Sequence, residues 1–164
     1  MIIHLAWPVV VGLDVVAWAV WGFATGWFVH RITADRLDHD SVLTRARTWE
    51  AHGRLYRRSL KLRSWQRRLP EGGGAKFGGV DKRRVGGASS AALERYVIET
   101  RRAEYVHWLG LAVTPALAWW NPPGLWAAMA VYATIANVPC IVSLRTNRFR
   151  LMAVLVGRQR RGRI

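Results

Sequence analysis

The chain has one cysteine, Cys140, among 164 residues. That excludes a disulfide framework and a cysteine-built zinc site. Lysine is scarce, with three against 22 arginines. Residues 1–29 and 108–144 hold no lysine or arginine at all, and a single acid, Asp14, lies outside residues 35–104. No internal repeat is present. What remains is half apolar: hydrophobic residues make up 51% of a chain whose formal net charge is +15. Every one of the 25 basic residues lies in 31–102 or 145–163. Such segregation excludes an ordinary water-soluble globule and a disordered basic tail. It predicts a small integral membrane protein with a strongly basic aqueous side.

The apolar stretches set the spans. Residues 3–29 are long enough to cross a hydrocarbon core of roughly 30 Å. No basic region precedes them, as a cleavable signal would require. The charges follow instead, at His30, Arg31 and Arg36. The positive-inside rule then places the N-terminus outside and residue 31 in the cytoplasm. The second apolar stretch is broken by Asn121-Pro122-Pro123-Gly124, a strong turn signal. It predicts a hairpin of spans over 108–120 and 125–144, with a basic cytoplasmic tail over 145–164. The first of these is short, so its helix is expected to start earlier, with Ser90 as N-cap. Residues 31–107 form a cytoplasmic insert. Within it Val42, Ala46, Trp49, Tyr56, Leu60 and Trp65 recur at roughly helical spacing, which suits a basic amphipathic helix on the bilayer surface. Glycine-rich loops follow over 70–90. The fold class is all-α, with three transmembrane helices.

Acids near a membrane are costly unless paired. The segment IETRRAEYVHW (98–108) carries Glu99, Glu104 and His107 toward the bilayer. At ~100° per residue, Glu104 lies ~60° to one side of His107 and Glu99 ~80° to the other. Two carboxylates flanking an imidazole would raise its basicity and fix its tautomer. Folding the hairpin about 121–124 brings His107 level with Asn137–Cys140, and Glu99 level with Arg145–Arg148. Glu99, Glu104, His107, Asn137 and Arg145 are therefore expected to converge at the cytoplasmic interface. There His107 could act as the base of an acyl transfer, with Arg145 or Asn137 stabilising the oxyanion. The competing reading is polar residues that pair only to close helix ends.

Other residues carry weaker signals. Glu104-x-x-His107 matches half of a di-iron bundle motif, but the second Glu-x-x-His is missing, so no metal is expected. Asp14, in mid-span, is a functional acid or a packing residue facing Thr114, Thr134 or Asn137. Cys140 is an acyl-thioester nucleophile or a small apolar residue. His52 binds substrate or sits at the interface. The arginines read as anionic-lipid contacts or as holders of a phosphate-bearing acyl donor. Nucleic-acid binding has no motif behind it.

Five strings resemble a known family in order and spacing: EAHGRLY (50–56), LRSWQRRLPEGG (62–73), IETRRAEYVHW (98–108), YATIANVP (132–139) and LRTNRFRL (144–151). They are similar to the glycosyl-4,4'-diaponeurosporenoate acyltransferases, small membrane proteins of carotenoid glycolipid biosynthesis. The likeness runs from about Trp49 to Arg161. It implies esterification of a sugar hydroxyl on a glycosylated carotenoid with a fatty acyl group. The implied partners are an acyl-CoA or acyl carrier protein donor and a glycosylated lipid acceptor, with no cofactor. By motif it marks His52, Trp65, Leu69, Pro70, Glu99, Arg102, Glu104, His107, Asn137, Pro139, Arg145, Asn147, Arg148 and Arg150. Of these, His52, Trp65, Arg102, Asn137, Asn147, Arg148 and Arg150 are expected to bind substrate. Two departures stand out. Gln66 sits where the family has a second basic residue, and Leu144-Arg145-Thr146-Asn147-Arg148 replaces a Gln-Arg-Tyr-Asn-Arg run. A non-catalytic basic scaffold that recruits anionic lipid or an enzyme is the alternative.

Overall fold

A computed structural model describes residues 6–53, 55–56 and 89–162, and these are helices and turns. Helix α1 spans Trp7–His30, α2 Ala34–Asp38, α3 Ser90–Ala112, α4 Thr114–Leu117 and α5 Pro123–Arg161. A 3-10 turn occupies Thr48–Gly53. The all-α class holds among the described residues. Two helices, α1 and α5, are long and apolar enough to cross a membrane. Their apolar windows are 17% buried within the structure, so neither is the core helix of a globule.

Two helices, not the expected three, are each long and apolar enough to cross a membrane. Pro115 has no N–H to give the preceding turn, and the helix breaks at Val113, between α3 and α4. Only Trp108–Ala112 of the expected second span therefore belongs to α3, whose remaining length is polar. Its start is close to expectation: Ser89, one residue before Ser90, is the N-cap, and its hydroxyl accepts from Ala92 N at 3.2 Å. Helix α5 opens with Pro122 as N-cap and Pro123 in its first turn, where a missing N–H costs nothing. It runs 39 residues without interruption, through Pro139 and well past the apolar part.

The amphipathic surface helix is a second correction. Residues 41–47 turn instead. Ser41 and Thr44 hydrogen-bond one another's backbone and hydroxyl groups, a local alternative to helix. The carbonyls of Leu43, Thr44 and Arg45 are taken by arginines from α5. The continuation of that expected helix to Leu60 and Trp65, and the loops over 70–88, lie outside the described residues.

Helices α3 and α5 form the antiparallel hairpin. Leu93, Tyr96, Val97 and Leu151 are buried together, with Leu155 against them. Tyr56, Val142 and Phe149 form a second cluster, which seats the end of the 3-10 turn on α5. The chain turns there at Gly53, with φ +79 and Phe149 Cδ2 3.1 Å from where a Cβ would stand. Only glycine meets both demands easily. Helix α1 joins the pair through Trp21, whose indole N–H donates to Leu109 O at 2.8 Å.

Candidate active site

Helix α3 presents Glu104 to α5, and α5 answers with two arginines one turn apart. Glu104 Oε1 accepts from Arg145 Nη1, and its Oε2 from Arg148 Nη1, each at 2.6 Å. The Trp108 indole adds a donor at 3.2 Å. A second acid closes the network. Glu50, on the 3-10 turn, accepts from Arg145 Nε at 2.6 Å and Arg145 Nη2 at 2.9 Å. It also accepts from the Tyr56 hydroxyl and from Arg47 N. The side chains of Glu50 and Glu104 are fully buried, and those of Arg145 and Arg148 nearly so. Two acids against two guanidiniums leave the cluster neutral, as burial demands. Burial alone would raise the Glu50 carboxyl, but the hydrogen bonds from Arg145, Tyr56 and Arg47 and the Arg145 charge outweigh it and hold it below its ordinary value. The Tyr56 phenol is pushed up, by burial first and then by its bond to the Glu50 carboxylate.

Arg145 also donates to Leu43 O and Arg45 O. Its five donors are thus all taken by the protein, so it braces the fold and is not placed to meet an oxyanion. Neighbouring arginines do similar work. Arg148 donates to Thr44 O, and Arg101 to Leu37 O and Asp38 O. Arg102 donates to Val29 O, His30 O and Ile32 O, at and just past the end of α1. Four arginines thereby lash the backbone of residues 29–45 to the hairpin.

One step deeper stands His107. Its Nδ1 lies 3.0 Å from Asn137 Oδ1. The Asn137 amide nitrogen donates to Ala133 O at 2.9 Å, which fixes the direction of the amide. Its oxygen therefore faces the imidazole, and an amide oxygen there accepts from Nδ1–H. Gly110 makes the approach possible, because a Cβ there would fall 2.7 Å from Asn137 Oδ1.

The hairpin register thus brings His107 to Asn137 and Glu104 to Arg145 and Arg148. Glu99 stands apart. It lies ~140° round the helix from Glu104 and pairs with Arg102 at 3.2 Å, with 39% of its side chain exposed. Asn147 is half-buried and Arg150 exposed. His52 falls in the 3-10 turn, and nothing further is described of its side chain. Trp65, Leu69 and Pro70 lie outside the described residues. Sequence reasoning passed over Glu50 and gave Tyr56 only a place on the expected surface helix, although both belong to the quoted string EAHGRLY. The signal available was charge balance: two buried arginines need two acids, and Glu104 is only one. Asp14 faces neither Thr134 nor Asn137. Its Oδ1 accepts from the Trp120 indole at 2.8 Å and from Asn121 Nδ2 at 2.7 Å. The Cys140 thiol rests on Ala136 O at 3.5 Å.

Such a hairpin defines a small helical protein with two helices long and apolar enough to cross a membrane and a polar site where the apolar part ends. The family profile described as glycosyl-4,4'-diaponeurosporenoate acyltransferase matches residues 39–156, which take in the 3-10 turn, α3, α4 and most of α5. A protein of that name from Staphylococcus aureus strain bovine RF122 / ET3-1 is 31% identical over 122 residues, 74% of this chain and 73% of its own length. Those of strains USA300 and NCTC 8325 / PS 47 are 30% identical over the same shares. No solved structure matches. The chain belongs to the glycosyl-4,4'-diaponeurosporenoate acyltransferase family and is an acyltransferase.

Proposed function

We propose that this chain esterifies a sugar hydroxyl of a glycosylated carotenoid with a fatty acyl group, working at the cytoplasmic leaflet. The acceptor is the one named for its relatives. The leaflet follows from the charge: α1 and the apolar part of α5 cross the bilayer, the apolar stretch 108–120, broken at Val113, returns the chain between them, and the basic residues gather at one side. The N-terminus is then outside and the C-terminus in the cytoplasm. The outward faces of α1, including Val16, Val20 and Phe23, and of α5, including Val131 and Ile135, are exposed and meet lipid.

The pair His107–Asn137 carries the reading. His107 Nε2 takes the proton of the sugar hydroxyl as its oxygen attacks the carbonyl of an acyl thioester. The new C–O bond forms, the C–S bond breaks, and the departing thiolate recovers the proton from the imidazolium. Asn137 is a positioning residue, holding the ring in the tautomer that leaves Nε2 basic. The ion network of Glu50, Glu104, Arg145 and Arg148 holds the strap of residues 29–50 beside it. Glu99 and Arg102 steady the end of α1. His52, Trp65, Asn147 and Arg150 are assigned to substrate, on the family likeness alone. Donor and acceptor held at one interface gain proximity and orientation.

Lipid extracts of cells supplied with the glycosylated carotenoid test this reading. The His107→Ala variant should form acylated product about 10²–10⁴-fold more slowly while inserting and melting like the parent. An active His107→Ala enzyme would end the proposal. Loss of activity only through loss of protein would assign His107 to packing.

A further inference from the structure

Beyond the network, α3 and α5 continue side by side as a two-helix stalk, Leu151 and Leu155 on α5 packing against Leu93, Tyr96 and Val97 on α3. Beside this seam, α5 carries a face that is exposed among the described residues. Taking Arg150 as zero, Gly157, Arg161 and Val154 lie within roughly 40° of it, and Arg158 and Arg160 roughly 80° to either side. Arg150, Val154, Gly157, Arg160 and Arg161 are exposed. Helix α5 contains no acid along its whole length. Arginines in its last turn complement the helix dipole, which accounts for Arg158, Arg160 and Arg161 but not for Arg150, nor for the bare apolar centre at Val154.

We propose that this face docks an acidic, soluble carrier protein that delivers the acyl group as a thioester. The inference deepens the acyl-transfer reading and rests on it. Two alternatives fit less well. Arg158–Arg161 lie about 21–25 Å along the helix from Leu144, where the apolar part ends. With α5 upright in the bilayer, that is beyond the roughly 8–10 Å over which salt leaves a charged surface visible, and lipid headgroups of the same membrane are out of reach. Coenzyme A carries its phosphates within one pantetheine arm of its thioester. Guanidiniums spread along three turns cannot all meet them. A protein with an acidic face spans the whole row, and an apolar contact at Val154 ringed by arginines has the make-up of a protein interface.

The test uses the full chain in lipid nanodiscs and a labelled fatty-acyl carrier protein, with binding read by fluorescence anisotropy. Binding should weaken steeply with salt. Arg160→Glu combined with Arg161→Glu should weaken it at least ~10-fold and raise KM for the carrier-bound donor to match. Arg160→Gln with Arg161→Gln gives a milder loss and guards against a folding defect. His107→Ala should bind the carrier normally. The proposal is overturned if the carrier does not bind, if charge reversal leaves binding unchanged, or if reversal instead removes binding to vesicles of anionic phospholipid. A parent that binds the carrier yet acylates no glycolipid would remove the functional reading and keep the docking face. A parent that acylates from acyl-CoA and never binds the carrier would do the opposite.

Discussion

Each end of the helical hairpin buries polar groups, and the two ends treat them differently. At the arginine end, Glu50, Glu104, Arg145 and Arg148 satisfy one another and six backbone or side-chain partners besides: Arg47 N, the Tyr56 hydroxyl, the Trp108 indole and the carbonyls of Leu43, Thr44 and Arg45. At the turn end, Asp14 is met by Trp120 and Asn121, yet Asp14 Oδ2, Asn121 Oδ1, Thr114 Oγ1 and Trp18 Nε1 are buried with no partner. Thr146 Oγ1 is the one such atom beside the arginines among the described residues. The first arrangement is a clamp that fails if any member is removed. The second is a contact with slack in it.

The largest effect should come from breaking the clamp. Glu104→Ala leaves Arg148 and part of Arg145 buried without a counter-charge, a loss of about 3–5 kcal/mol. Thermal unfolding in detergent should show the variant largely unfolded. Replacing Glu104, Arg145 and Arg148 together by apolar residues should cost less than Glu104→Ala alone, because no charge is then stranded. If Glu104→Ala melts like the parent, the network is not what holds the strap.

Acid should loosen the same end. The folded protein holds the Glu50 carboxyl below its ordinary value of 4.5. The unfolded chain therefore binds this proton first as pH falls. Glu50's contribution to stability is present above 4.5 and is lost as pH drops below it. Glu50→Gln should be less stable than the parent at neutral pH, and the gap should close as the pH falls through that window. A gap that stays constant down to acid-induced unfolding would mean that the carboxylate's charge contributes nothing.

These two tests touch residues that were unequally legible in the sequence. The hairpin was readable because Asn121-Pro122-Pro123-Gly124 leaves no other course for the chain, and its register followed from helical rise alone. That register is what brought His107 to Asn137 and Glu104 to Arg145. The third span was misread because apolar composition hid Pro115, which cuts α3 short of the turn. Glu99 was misplaced because both flanks of His107 were taken to face α5, whereas only the Glu104 side does. The turn over 41–47 was not legible at all. Arginines roughly a hundred residues away hold its carbonyls, and local spacing carries no record of that.

The smallest effect belongs to the slack end and makes the comparison sharpest. Asp14→Asn keeps the Oδ1 that Trp120 and Asn121 bind. It exchanges the unpartnered Oδ2 for an amide N–H₂, a donor on the residue that Asn121, with its own unpartnered Oδ1, already bonds. The exchange should therefore be neutral or stabilising, by at most about 1 kcal/mol, whereas loss of the Glu104 carboxylate is ruinous. Activity should be unchanged, since Asp14 lies about two helical turns of α1 beyond Trp21, the residue that ties α1 to the His107 end. Melting temperature and product yield, measured on the same preparation, separate the readings. A variant that melts normally but makes no acylated product would move Asp14 from packing to function, and would mean that the turn end, slack as it is, takes part in the reaction.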